Sequence, residues 1–205
     1  MTDSDYMMLA LELAERGRGR VHPNPMVGAV VVMGGKIIGK GYHEKYGDFH
    51  GERNAILSCH KNPVGATLYV TLEPCCHHGK TPPCTDIIIE SGIRRVVIGT
   101  PDPNPLVAGK GINILKQHGI EVVSGVMEKE CLRLNEVFFH FIKNRTPYVV
   151  MKYAMTMDGK TAAWTGKSRW ITGEIARRRV HEDRLRYTAI MTGVGTVLSD
   201  DPLLT

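Results

Sequence analysis

Residues 4–17 place Met7, Leu11 and Ala14 at helical spacing behind a Ser or Asp cap and end in glycines, which predicts an amphipathic first helix. The β-branched run Val27 to Met33 meets Gly34-Gly35, a hairpin-type turn, and KIIGKGYH follows, so two antiparallel strands are expected. Farther along, Gly51 to His60 reads as a helix and Ala66 to Leu72 as a buried strand that runs into Pro74-Cys75. Next come a Gly- and Pro-rich loop, a helix at CTDIIIES, and a strand at RRVVIGT that ends at PDPNP. A helix at Ile112 to Gln117, a short strand EVVS and one helix from about Glu128 to Phe141 complete the series. Strands alternating with helices imply an α/β fold whose mixed sheet is covered on both faces.

A polar, breaker-containing stretch at KNRTP (Lys143 to Pro147) predicts a boundary, giving domains 1–145 and 146–205. Beyond it, PYVVMKYAMTMDGKTA reads as a fresh strand, TGEIARRRVHEDRLRY as a helix, and AIMTGVGTVLS as a strand and turn. About sixty residues are few for an independently closed α/β domain, and unpaired strand edges there would favour a homo-oligomer.

Composition narrows the function classes. With 42% hydrophobic and 23% charged residues, the chain is an ordinary globular one. It shows neither a signal peptide nor the run of about 20 apolar residues that spans a bilayer, so a cytoplasmic location and no membrane partner are expected. Five cysteines in a reducing compartment read as metal ligands or spectators rather than disulfides. The net charge of +5 is spread out except near Arg177, Arg178 and Arg179, where a solvated helix face is the plainer reading, so no nucleic-acid partner is expected.

The candidate chemistry centres on His50-Gly51-Glu52, Pro74-Cys75 and Cys84. One imidazole and two thiolates suit zinc and leave a fourth tetrahedral position for water. Such water ionises near pH 7 instead of 15.7, and Glu52 is placed to carry its proton to a ring nitrogen and then to a departing amine. His-x-Glu followed by Pro-Cys-x-x-Cys is the zinc deaminase signature. Here eight residues, 76–83, separate the two cysteines instead of two. That spacing leaves open a closed structural zinc site that recruits His77 or His78, exchange of Cys75 with Cys76, or no metal at all. Cys59 and Cys131 read as buried small hydrophobes.

The long inter-cysteine loop LEPCCHHGKTPPC, with HPNPMVGAVVV before it and PDPNPLVAGKG after it, resembles the bifunctional riboflavin-biosynthesis deaminase/reductases. That resemblance implies a cytidine-deaminase-like three-layer α/β/α sandwich followed by the start of a dihydrofolate-reductase-like α/β domain. It implies deamination of the diamino-ribosylaminopyrimidinone 5′-phosphate, a small phosphorylated pyrimidine, and in the longer family NADPH-dependent reduction of the ribosyl group. By motif it assigns Zn2+ to His50, Cys75 and Cys84, and acid/base work to Glu52. Asn24, His43, His77, Lys80, Asp102 and Asn104 would line the substrate pocket, with Lys80 a phosphate partner. MKYAMTMDGKTA, SRWITG and GVGTVLSDDPLLT resemble the start of the reductase. There Ala154, Trp170, Thr196 and Asp200 would face the nucleotide cofactor, and Ser168, Arg184 and Leu204 the substrate. No reductase activity is expected from 205 residues alone. One departure is Gly51, where the family usually has Ala; it is expected to cost roughly 0.5–1 kcal/mol within a helix. The competing readings are a cytidine, deoxycytidylate, nucleobase or tRNA-adenosine deaminase, and a non-enzymatic zinc-stabilised nucleic-acid-binding module.

Overall fold

The computed structural model describes residues 1–204, which divide into two compact units, Met1–Tyr148 and the chain from Val149 onward. The first unit holds α1 (Asp3–Glu15), β1 (Gly28–Met33), β2 (Lys36–Tyr42), α2 (Gly51–Leu57), β3 (Thr67–Leu72) and α3 (Cys84–Glu90). It continues with β4 (Arg95–Thr100), α4 (Lys110–Gln117), β5 (Glu121–Ser124), α5 (Glu128–Leu134) and α6 (Glu136–Asn144). The five strands form one mixed sheet in the order β2-β1-β3-β4-β5. β1 is antiparallel to both of its neighbours, whereas β3, β4 and β5 run parallel.

β1 and β3 are buried almost throughout because both sheet faces are covered, which explains their near-continuous apolar sequences. Alternation sorts the side chains: Val30, Val32, Tyr69 and Val97 pack against α1 and α5. Ala29, Val31, Leu68, Val70, Val96 and Ile98 face the opposite layer of α2, α3 and α4, with Phe139 of α6 joining it. Three layers result, as expected.

Two details differ from the sequence reading. The cap of α1 is Thr2, in a capping box with Asp5: the Asp5 N–H donates to Thr2 Oγ1 at 3.3 Å and the Thr2 N–H to Asp5 Oδ2 at 2.7 Å. The single helix expected over 128–141 is two, broken at Asn135. There the Asn135 side chain accepts from the Met26 N–H and donates to the Met26 carbonyl, both at 2.8 Å. An asparagine so engaged with a distant loop ends one helix and starts the next.

The second unit holds α7 (Glu174–Arg184) and α8 (Val194–Asp200) and no strand among its described residues. The strands expected at PYVVMKYAM and AIMTGVGTVLS are therefore corrected; part of the latter is α8. Unpaired strand edges therefore no longer argue for self-association. Among the described residues no helix is long and apolar enough to cross a membrane.

Candidate metal centre and pocket

Sheet topology collects the candidate residues. Gly28, which opens β1, pairs with Tyr42, which closes β2, while Leu72 and Thr100, which close β3 and β4, pair with each other. Ala29 pairs with Val70, so all four strand ends share one edge of the sheet. Asn24 precedes β1, His43 follows β2, Cys75 follows β3 and Asp102 follows β4. Their convergence is a consequence of strand direction.

His50 caps the N-terminus of α2, and Cys84 opens α3. The Cys84 N–H donates to the Cys75 carbonyl at 3.0 Å and lies 3.4 Å from the Cys75 sulfur, so a helix N-terminus faces that thiol. His50 Nδ1 lies 3.5 Å from Cys75 Sγ and 3.5 Å from Cys84 Sγ, and all three donor atoms lie within 4.8 Å of one another. A tetrahedral zinc with Zn–N of about 2.0 Å and Zn–S of about 2.3 Å would hold N and S about 3.5 Å apart, so the donor set fits that ion. No fourth His, Cys, Asp or Glu joins the group among the described residues. The closed structural site through His77 or His78 is thus not formed, and Cys76 stays outside.

Burial and mutual contact polarise this cluster. A hydrogen bond from Cys84 and the facing His50 hold the Cys75 thiol well below its ordinary value. The same hydrogen bond and burial push Cys84 well up. Glu52, only 2% exposed, is pushed up to about 7 by burial, and its Oε2 is buried without a hydrogen-bond partner. An orphaned carboxylate oxygen beside three convergent metal donors is costly unless something else occupies the site.

These residues open into a cavity of about 290 Å³ lined by Asn24, His43, His77, Lys80, Asp102 and Asn104 together with His50, Glu52 and Cys75. Every pocket residue assigned to the first unit is therefore brought to one place. Burial pushes the His43 imidazole down from its ordinary value, so it is neutral near pH 7. Its Nδ1 lies 3.0 Å from the Phe49 carbonyl and so carries the hydrogen; Nε2 is then free to accept from Asn24 Nδ2 at 3.2 Å. His77 Nδ1 is buried without a partner. Lys80 is exposed at the rim, its Nζ 4.0 Å from the centre of the Tyr46 ring.

Asp102 is 8% exposed, and burial raises its carboxyl to about 6 from an ordinary 3.8. Because the folded value lies above the unfolded one, the folded state loses stability as pH rises from about 4 to about 6, by at most about 3 kcal/mol. Asp102→Asn keeps the acceptor for the Asn104 N–H, 2.8 Å away. Thermal melts should accordingly show the variant a few degrees more stable than wild type at pH 7.5 and equal to it below about pH 4. A variant that melts lower at pH 7.5 would show that the charge is compensated.

Gly51 has a packing reason rather than a scaffold cost: a Cβ there would lie 2.7 Å from the Val27 carbonyl oxygen. Its absence lets α2, and with it His50 and Glu52, approach the start of β1. Sequence reasoning missed Tyr46, Val107 and Phe138, which also line the cavity. Phe138 carried only the signature of a core helix, and Tyr46 that of a solvated loop.

Ala154, Ser168, Trp170, Arg184, Thr196, Asp200 and Leu204 all lie in the second unit. Thr196 and Asp200 sit on α8, Arg184 closes α7, and the Arg177 guanidinium lies 4.2 Å from the centre of the Trp170 ring.

Residues 1–100 match the cytidine and deoxycytidylate deaminase zinc-binding region, and residues 147–205 match the RibD C-terminal domain. The riboflavin biosynthesis protein RibD of Actinobacillus pleuropneumoniae is 59% identical over 204 residues, covering 100% of this chain and 54% of that protein. Its counterpart from Escherichia coli K12 is 48% identical over 205 residues, covering 100% of this chain and 56% of that protein. A crystal structure of a diaminohydroxyphosphoribosylaminopyrimidine deaminase/5-amino-6-(5-phosphoribosylamino)uracil reductase from Thermotoga maritima superposes with a TM-score of 0.95 at 53% identity, covering 99% of this chain and 58% of that one. The chain thus spans little more than half the length of the relatives it matches.

Proposed function

Because the chain is a homologue of the bifunctional RibD riboflavin-biosynthesis deaminase/reductases over about half of their length, we propose that its first unit is a zinc-dependent aminohydrolase acting on a diamino-ribosylaminopyrimidinone 5′-phosphate. The observation that carries this reading is the unpartnered, buried Oε2 of Glu52 beside the three converging donors His50, Cys75 and Cys84.

In this reading His50, Cys75 and Cys84 hold zinc, which when bound supplies an acidified water at neutral pH. The remaining work falls to the chain. Glu52, its carboxyl raised to about 7, takes up a proton at Oε2 from the attacking water and delivers it to the ring nitrogen next to the amine-bearing carbon; it then takes up a second proton from the hydroxyl now on that carbon and passes it to the amine, which leaves as ammonia as the C–N bond breaks and the carbonyl forms. Neutral His43 fixes the Asn24 amide with its NH2 toward the imidazole, which leaves the Asn24 carbonyl oxygen to accept from the ring's N–H groups. Asp102, Asn104 and His77 complete the polar wall, and Lys80 beside Tyr46 at the rim offers the counter-charge for a phosphate.

We assign the second unit to the beginning of the reductase half. Ala154, Trp170, Thr196 and Asp200 are its nucleotide positions, for NADPH, and Ser168, Arg184 and Leu204 its substrate positions. The family match over residues 147–205 supports this. We also place the protein in the cytoplasm, where its thiols stay reduced and able to bind metal.

The test is ammonia release by purified protein from the riboflavin-pathway pyrimidine phosphate and, in parallel, from cytidine, deoxycytidylate and an adenosine-containing RNA. Release from the first alone is expected. Release only from the others would reassign the substrate to nucleosides or tRNA.

A further inference from the structure

The pocket holds two buried glutamates with opposite circumstances. Glu52 has an unpartnered oxygen, whereas Glu73, between β3 and Cys75 and 3% exposed, is engaged by three main-chain donors. Its Oε2 accepts from the N–H of Asp102 at 3.1 Å and of Gly109 at 3.0 Å, and its Oε1 accepts from the N–H of Ile112 at 3.2 Å. Those donors bracket the segment 101–112, which connects β4 to the first turn of α4 and carries Asp102, Asn104 and Val107 of the cavity wall.

Besides Glu73, the buried Val107 side chain, 1% exposed, and the Cys76 thiol, 3.8 Å from the Leu106 carbonyl, hold the segment in place. Three of its residues, Pro101, Pro103 and Pro105, have no N–H to donate. Bonds inside it are local: the Asn104 N–H reaches Asp102 Oδ1 at 2.8 Å, the Leu106 N–H reaches Asn104 Oδ1 at 3.1 Å, and the Val107 N–H reaches the Asn104 carbonyl at 2.8 Å. They shape a turn without fixing where it sits. A second observation marks the same joint: a Cβ on Gly111 would collide with the Pro74 carbonyl oxygen, so α4 begins pressed directly onto the strand extension that bears Glu73.

We propose that Glu73 is a positioning residue that fixes the Asp102–Asn104–Val107 wall at the mouth of β3 and so sets how tightly the pyrimidine is held, without taking part in proton transfer. This rests on the deaminase reading for its substrate. Both carboxylate oxygens are committed to main-chain donors, so the effect runs through the loop and falls on binding.

Glu73→Gln, made in the full 205-residue chain, tests it. An amide has one accepting oxygen and a donating NH2, so at least one of the three N–H groups loses its acceptor. Amide hydrogen exchange over 101–113 should speed up by about tenfold or more, while exchange over α2 and the zinc content stay at wild-type values. In turnover assays KM should rise about tenfold with kcat within about threefold of wild type. Unchanged exchange over 101–113, or a fall in kcat at constant KM, overturns the proposal. Should the glutamine variant not fold, Glu73→Asp, which keeps the charge and shortens the reach by one methylene, takes its place in both measurements, and the same results support or overturn the role. Wild-type protein that releases no ammonia from any pyrimidine overturns the deaminase reading alone; the exchange experiment still decides whether Glu73 holds the wall.

Discussion

Glu52→Gln should lower the rate of ammonia release by about 10³-fold, within the range of 10² to 10⁴ that a positioned acid/base contributes, while zinc content and melting temperature stay near wild type. The substitution preserves shape and removes only the ability to gain and lose a proton. Burial raises the Glu52 carboxyl above its ordinary value, and glutamine fills the same buried volume. Its Oε2 has no partner to lose. Steady-state kcat, metal analysis and a thermal melt on the same preparation separate chemistry from folding. Full activity in the variant would remove Glu52 from the mechanism.

Cys84→Ala should reduce bound zinc from about one per chain to near zero and abolish turnover with it. The residue is 1% exposed, opens α3, and supplies one of three donors, so two donors and water are left to hold the ion. Loss of metal also removes the tie between the N-termini of α2 and α3. Since ligand binding stabilises only the folded state, the melting temperature should fall by roughly 5–10 °C, corresponding to about 2–4 kcal/mol. Cys59→Ala is the control: that half-buried thiol donates to the Ala55 carbonyl at 3.4 Å and lies outside the donor group, so zinc should be retained. Zinc retained by Cys84→Ala, as by the control, would mean that the ion sits elsewhere.

Much of the first unit was legible in the chain because its central strands β1, β3 and β4 are buried on both faces and read as apolar, largely β-branched runs, and because its short helices lie directly between strands. Where the reading failed, the cause lay far away in sequence. No local signal ends a helix at Asn135; its side chain does so by pairing with Met26, 109 positions earlier. PYVVMKYAM has the composition of a strand, but a strand needs a neighbour to take its hydrogen bonds, and none forms in the second unit among its described residues. Gly51 has the look of a small defect in a helix until the Val27 carbonyl is set against it.

Residue types along the chain already name the chemistry on offer: an imidazole, two thiols and a carboxyl group in a recognisable order, with polar residues at the ends of apolar runs. Ligand identity is a property of residue type, and it survives any folding. That these groups meet is a result of folding. β1 runs against β3 while β3 and β4 run together, so positions 24, 43, 75 and 102 arrive at one edge of the sheet. The proton affinity of Glu52 belongs to the fold in the same way, because it comes from water excluded by neighbours that no local spacing names.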